Sequence, residues 1–131
     1  MKQTVLITGG TSGIGLELAK LFAKDGYRLI IVARYEEELA ATAALLKAHE
    51  TEVTTIAKDL FDTNSSHELY DEIKQKGLTV DVLVNNAAQG QYGEFADADL
   101  SRLLSIIQLN ISSVLALSHL YLNHMVARAA G

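Results

Sequence analysis

Residues 6–22 read LITGGTSGIGLELAKLF, and the reading of this stretch decides the fold. A short apolar run ends in a glycine-studded turn, and a helical pattern starts at once. Gly9 lets the chain turn sharply after a strand. Gly13 lets a pyrophosphate approach the backbone closely, and Gly15 lets the helix pack close to a sheet. The free N–H groups at the helix start then face an anion. The turn sits between a strand and a helix, the context that a dinucleotide-binding turn requires. A mononucleotide P-loop is excluded because no Gly-Lys-Ser/Thr follows. Along the helix, Ile14, Leu18, Leu21 and Phe22 fall on one face and Glu17, Lys20 and Lys24 on the other, with Gly26 placed to end it.

Working outward, residues 4–7 (TVLI), 28–33 (RLIIVA) and 80–84 (VDVLV) are short and almost wholly apolar, as strands buried on both faces of a parallel sheet are. Residues 52–57 (EVTTIA) are more polar and read as an edge strand. Helical patterns separate these runs. The second spans residues 36–49. The third opens on the capping-box pattern Ser65-Ser66-His67-Glu68 and stops near Gly77, and a long fourth covers residues 97–128. Strict β-α alternation predicts an α/β fold, a parallel sheet with right-handed crossovers and four helices on its two faces. No linker or repeat interrupts the pattern, so residues 1–131 read as one domain.

Composition narrows the function classes. Hydrophobic residues make up 49% and charged residues 21% of the 131, and the formal net charge of −5 offers no basic field to nucleic acid. The chain has no cysteine, hence neither disulfide nor thiolate metal site, which is compatible with a cytoplasmic location. The N-terminal apolar run is too short for a signal peptide. No run reaches the ~20 consecutive apolar residues of a membrane span, so no membrane partner is expected. No histidine pair has metal-binding spacing: His119 and His124 lie five apart, off a common helix face.

With the spacing Thr8-Gly9-x-x-x-Gly13-x-Gly15, the chain resembles the short-chain dehydrogenase/reductase family, whose signature is T-G-x-x-x-G-x-G. Lys58-Asp59-Leu60 follows the third strand, where the family sets an Asp and its neighbour against adenine. Asn85-Asn86-Ala87-Ala88 follows the fourth, where the family has N-N-A-G, and Ala88 departs from it by one methyl group. Asn110 matches the helix asparagine of the family's catalytic tetrad. The resemblance covers the whole chain in the expected order. It implies a Rossmann-like, doubly wound sheet in the order 3-2-1-4. It also implies a nicotinamide dinucleotide held by Gly9, Thr11, Ser12, Gly13, Ile14, Gly15, Asp59, Leu60, Asn86, Ala87 and Ala88.

An NAD-type site usually carries an Asp or Glu about 20 residues past the glycines, at the end of the second strand. Here Ala33 takes that place and Arg34 follows. A guanidinium suits a 2′-phosphate, so NADP(H) is favoured, with NAD(H) left open. The resemblance implies hydride transfer between NADPH and a carbonyl or alcohol substrate, served by a Ser and a Tyr-x-x-x-Lys beyond a fifth strand. These 131 residues read as the N-terminal, cofactor-binding portion of such an enzyme, expected to be inactive alone. The one Tyr-x-x-x-Lys present, Tyr70 to Lys74, falls on the third helix and reads as a decoy. A non-catalytic dinucleotide-binding module and a βα interaction domain remain as alternatives. The fourth helix, with Leu117, Leu120 and Tyr121 as core, is expected also to line the interface of a homo-oligomer.

Overall fold

A computed structural model describes residues 2–131. Four strands, β1 (Thr4–Thr8), β2 (Arg28–Ala33), β3 (Val53–Ala57) and β4 (Val82–Val84), form one parallel sheet in the order β3-β2-β1-β4. Leu6 lies beside Ile30 on one side and Leu83 on the other. Helices α1 (Gly13–Lys24), α2 (Glu36–Leu46) and α3 (Ser65–Gln75) make the crossovers. After β4 come α4 (Leu100–Ile107), a π turn (Gln108–Ser112) and α5 (Ser113–Arg128), which together form one helix of 29 residues. The expected sheet order and the four helical segments are both present.

Alternation along the strands divides the core in two. Leu6, Ile30, Val32 and Ile56 pack with Leu69, Ile73, Leu117 and Tyr121, beneath α3 and α5. Val5, Ile7, Leu29 and Ile31 pack with Ala19, Ala23, Leu39 and Leu46, beneath α1 and α2. Each Leu or Ile fully buried in these clusters contributes about 2 kcal/mol relative to exposure.

Four local expectations are corrected. The apolar face of α1 is narrower than its pattern: Gly15, Ala19 and Ala23 are buried, whereas Ile14 is 74% and Leu21 59% exposed. Small side chains bring this helix close to the sheet, Ile14 and Leu21 are left outside, and Phe22 packs half-buried at the margin of the core. β4 begins at Val82, not Val80, because Asp81 turns its carboxylate back to accept from the Thr4 N–H at 2.9 Å. Arg128 closes this corner by donating to the Val80 carbonyl at 3.1 Å and to Asp81 at 3.4 Å. The capping box is not formed. Asn64 is the N-cap of α3, Ser65 Oγ donates to the Asp62 carbonyl at 2.7 Å, and Glu68 pairs with Lys58 at 3.6 Å. The last helix starts at Leu100, capped by Asp99 accepting from Arg102 N at 3.2 Å, while Phe95–Asp97 form a separate 3-10 turn.

One helix meets the length and mean hydropathy of a membrane span, which a count of consecutive apolar residues does not register. Residues Leu100–Arg128 contain an 18-residue window of mean hydropathy 1.6, long and apolar enough to cross a membrane, of which 17% is buried. Interspersed Ser, Gln and Asn break every long apolar run, so counting consecutive residues misses what an average detects. In the fold one face of this helix is core, through Leu109, Leu117 and Tyr121.

Candidate functional site

The carboxyl ends of β1, β2, β3 and β4 meet at one rim, and the glycine turn lies between β1 and α1. Gly9 has φ +67° and donates its N–H to the Val32 carbonyl at 2.8 Å, which fixes the exit from β1. Gly13 has φ +53° and open space where a side chain would stand. The first helical bond of α1 runs from Leu16 N to the Ser12 carbonyl at 3.2 Å, and the Ser12 side chain caps nothing. The N–H groups of Gly13, Ile14 and Gly15 therefore have no acceptor inside the helix. Open space beside uncapped donors at a helix N-terminus suits a pyrophosphate.

Gly15 has a more specific task than close packing. A Cβ there would stand 2.3 Å from the Gly9 carbonyl oxygen and 2.4 Å from Asn86 Nδ2. Those two groups are bonded to each other, Asn86 Nδ2 donating to Gly9 O at 3.0 Å. Thr8, 2% exposed, completes the seam: its Oγ1 accepts from both Asn86 N and Ala87 N at 3.0 Å and donates to the Val84 carbonyl at 3.4 Å. The turn after β1 and the loop after β4 thus hold each other in register. Asn85 points the other way and donates to Ser118 Oγ at 3.0 Å.

Asn110 lies in the π turn. Its Oδ1 accepts from Gln89 N at 2.9 Å and its Nδ2 donates to the Gln89 carbonyl at 2.7 Å. Both ends of the amide are engaged, so this side chain positions the loop after β4. A π turn is a frequent device where a helix must aim a side chain.

Between these parts lies a cleft of about 340 Å³. Of the expected residues, Gly9, Thr11, Ser12, Arg34, Leu60, Asn86, Ala87 and Ala88 line it. Gly13, Ile14 and Gly15 form the first turn of α1 beside it. Asp59 is exposed, and its Oδ1 accepts from Phe61 N at 3.0 Å in a tight turn. Tyr35, Glu38, Lys58 and Phe61 also line the cleft, without a signal in the sequence that assigned them to it, and so does Gln89. Glu38 was masked by the acidic run Glu36 to Glu38, which reads as a solvated face. In the fold its Oε2 accepts from Thr11 Oγ1 at 3.4 Å. The Arg34 guanidinium sits 5.1 Å from the Tyr35 ring centroid and 5.2 Å from that of Phe61, and makes no ion pair among the described residues.

Tyr70 and Lys74 do not line the cleft. The Tyr70 ring packs edge-on against Tyr121, with centroids 5.1 Å apart, and burial, reinforced by Tyr70, pushes the Tyr121 phenol well above its ordinary range. The Tyr-x-x-x-Lys pattern here serves packing between α3 and α5.

Comparison with known proteins agrees with this geometry. The family model for short chain dehydrogenase matches residues 3–131. The chain is 31% identical over 129 residues to a ketoacyl reductase, HetN, of Nostoc sp., covering 98% of this chain and 45% of that protein. It is 34% identical to sulfoacetaldehyde reductase 2 of Chromohalobacter salexigens, covering 100% of this chain and 52% of that protein. Among solved structures, a short-chain dehydrogenase from Sphingobium yanoikuyae in complex with NADPH superposes with a TM-score of 0.91 at 30% identity, covering 98% of this chain and 50% of that one. The chain thus spans about half the length of the curated relatives it matches. With the glycine turn, the sheet order and the family match in agreement, the chain belongs to the short chain dehydrogenase family.

Proposed function

We propose that this chain is the cofactor-holding part of an NADPH-dependent reductase acting on a carbonyl substrate. The observation that carries the reading is Arg34: a guanidinium at the end of β2, at the rim of the cleft, with no carboxylate paired to it among the described residues. Such a group suits a 2′-phosphate. The NADPH complex of the Sphingobium relative and the reductase names of the Nostoc and Chromohalobacter proteins support the same reading.

The residues present fit the dinucleotide. The uncapped N–H groups of Gly13, Ile14 and Gly15 suit the pyrophosphate, and Leu60 and Phe61 offer apolar surface to a base. Asn86, Ala87 and Ala88 also line the cleft. When bound, the nicotinamide supplies a hydride to a carbonyl carbon. The Ser and Tyr-x-x-x-Lys that the family resemblance implies at the substrate are not in the expected place among these residues, so these residues are proposed to hold the cofactor and no proton-delivery step is assigned to them. The exposed faces of α4 and α5, with Leu104, Ile107, Ile111, Leu115, Leu122 and Val126, are read as the interface with a second copy.

Glu38 favours a second reading. Its carboxylate borders the same rim and could accept from a ribose diol, which would suit NADH. Parallel titrations separate the two. NADPH is expected to bind about tenfold more tightly than NADH, and Arg34→Ala to remove most of that difference while leaving NADH nearly unchanged. Equal affinities in the unmutated protein would overturn the NADPH assignment.

A further inference from the structure

Phe61, in the loop after β3, carries two guanidiniums over its ring, Arg34 at 5.2 Å and Arg102 at 5.3 Å from its centroid. Arg34 comes from the end of β2 and Arg102 from the first turns of α4, so three separate segments converge on one aromatic ring. Neither arginine makes an ion pair among the described residues. Arg102 uses Nη2 to donate to Gln89 Oε1 at 2.9 Å, and Gln89 is the residue whose backbone Asn110 clamps on both sides. Gln108 of the π turn adds a weaker tie, its Nε2 donating to the Asp62 carbonyl at 3.4 Å. The last helix thus staples the loop after β3 to the loop after β4.

From this arrangement we infer that Phe61 and Arg102 are positioning residues for Arg34, and that they set how strongly the cleft distinguishes NADPH from NADH. Arg34 is exposed and has rotatable bonds to spare, so its ordering is costly. The ring gives its guanidinium a flat surface on which to rest, and a side chain already held loses less freedom when a phosphate arrives. Phe61 is half-buried and packs against the core beneath α3 and α5. Arg102 adds a contact from the helix side, and its bond to Gln89 ties it to the loop after β4. A ring held by both the core and Arg102 gives Arg34 a surface that stays. The inference rests on the NADPH reading above.

The experiment is a set of parallel NADPH and NADH titrations of the protein and its variants by calorimetry. Arg102→Met is expected to lower the NADPH-to-NADH preference about fivefold, all of it from weaker NADPH binding. Phe61→Leu is expected to lower the same ratio, with a further loss common to both cofactors from its surface toward the base, and Phe61→Tyr, which keeps the ring, to retain the preference. In an Arg34→Ala background Arg102→Met is expected to cost nothing further. A long-range charge effect of Arg102 on the phosphate would persist in that background and would overturn the inference. So would an Arg102→Met variant that weakens both cofactors equally, which is the mark of a structural role, or neither. If the unmutated protein binds both cofactors alike, the NADPH reading itself falls and this inference with it. If it prefers NADPH and the variants keep that preference, the positioning role alone falls.

Discussion

β1 and β4 lie side by side in the sheet and differ sharply in how finished their surroundings are. Every residue of β1 is buried, with a strand on either side. Every residue of β4 is only half-buried, and among the described residues its outer edge has no partner. The helices differ in how many apolar residues they expose: α1 leaves Ile14 and Leu21 outside, whereas the helix after β4 leaves Leu104, Ile111, Leu115, Leu122 and Val126 exposed. The glycine turn is complete in its own contacts, stitched by Thr8, Gly9 and Asn86. Among the described residues the β4 flank presents an unpaired strand edge and an exposed apolar helix face. The proposed cofactor site lies on the finished side, and the proposed interface with a second copy on the open one.

The most severe way to break that contrast is at Gly15. Gly15→Val puts carbon atoms where the Gly9 carbonyl and the Asn86 amide meet. It is expected to cost about 3 kcal/mol and to abolish NADPH binding, read by chemical denaturation and titration. Loss of binding with unchanged stability would mean that Gly15 serves the ligand alone. A change on the open side is expected to act on assembly instead. Leu104→Glu with Leu115→Glu is expected to leave the unfolding free energy within about 0.5 kcal/mol per site and to convert oligomer to monomer in light scattering. An unchanged mass would remove this face from the interface. The smallest effect is expected at Tyr121→Phe. Its hydroxyl is buried with no hydrogen-bond partner among the described residues, so stability is expected to change by less than about 1 kcal/mol in a melting experiment. A large loss would reveal a partner for that hydroxyl.

Much of the finished side was legible in the sequence. Gly9 and Gly13 occupy positive-φ positions that glycine fills without strain, so residue type reports backbone geometry directly. Buried parallel strands read as continuous apolar runs, and their alternation with helices fixed the layer order. Boundaries were less legible. The face of α1 was misjudged at Ile14 and Leu21 because apolar periodicity marks large residues, while closeness to the sheet selects small ones. The Ser65 capping box failed because the helix already includes Ser65, whose hydroxyl donates back to the Asp62 carbonyl. The cleft was legible along each segment but not across segments. Glu38, Phe61 and Gln89 come from three separate stretches, and their convergence on one cleft is a tertiary fact that no local pattern carries.

The central claim is that these residues hold a nicotinamide dinucleotide by the turn between β1 and α1, with Arg34 reading its 2′-phosphate. Calorimetric titration of residues 1–131 with NADPH and then with NADH tests it most directly. Saturable binding of NADPH, about tenfold tighter than NADH, is the expected result. No binding of either would contradict the claim, and would reduce the glycine turn to a turn.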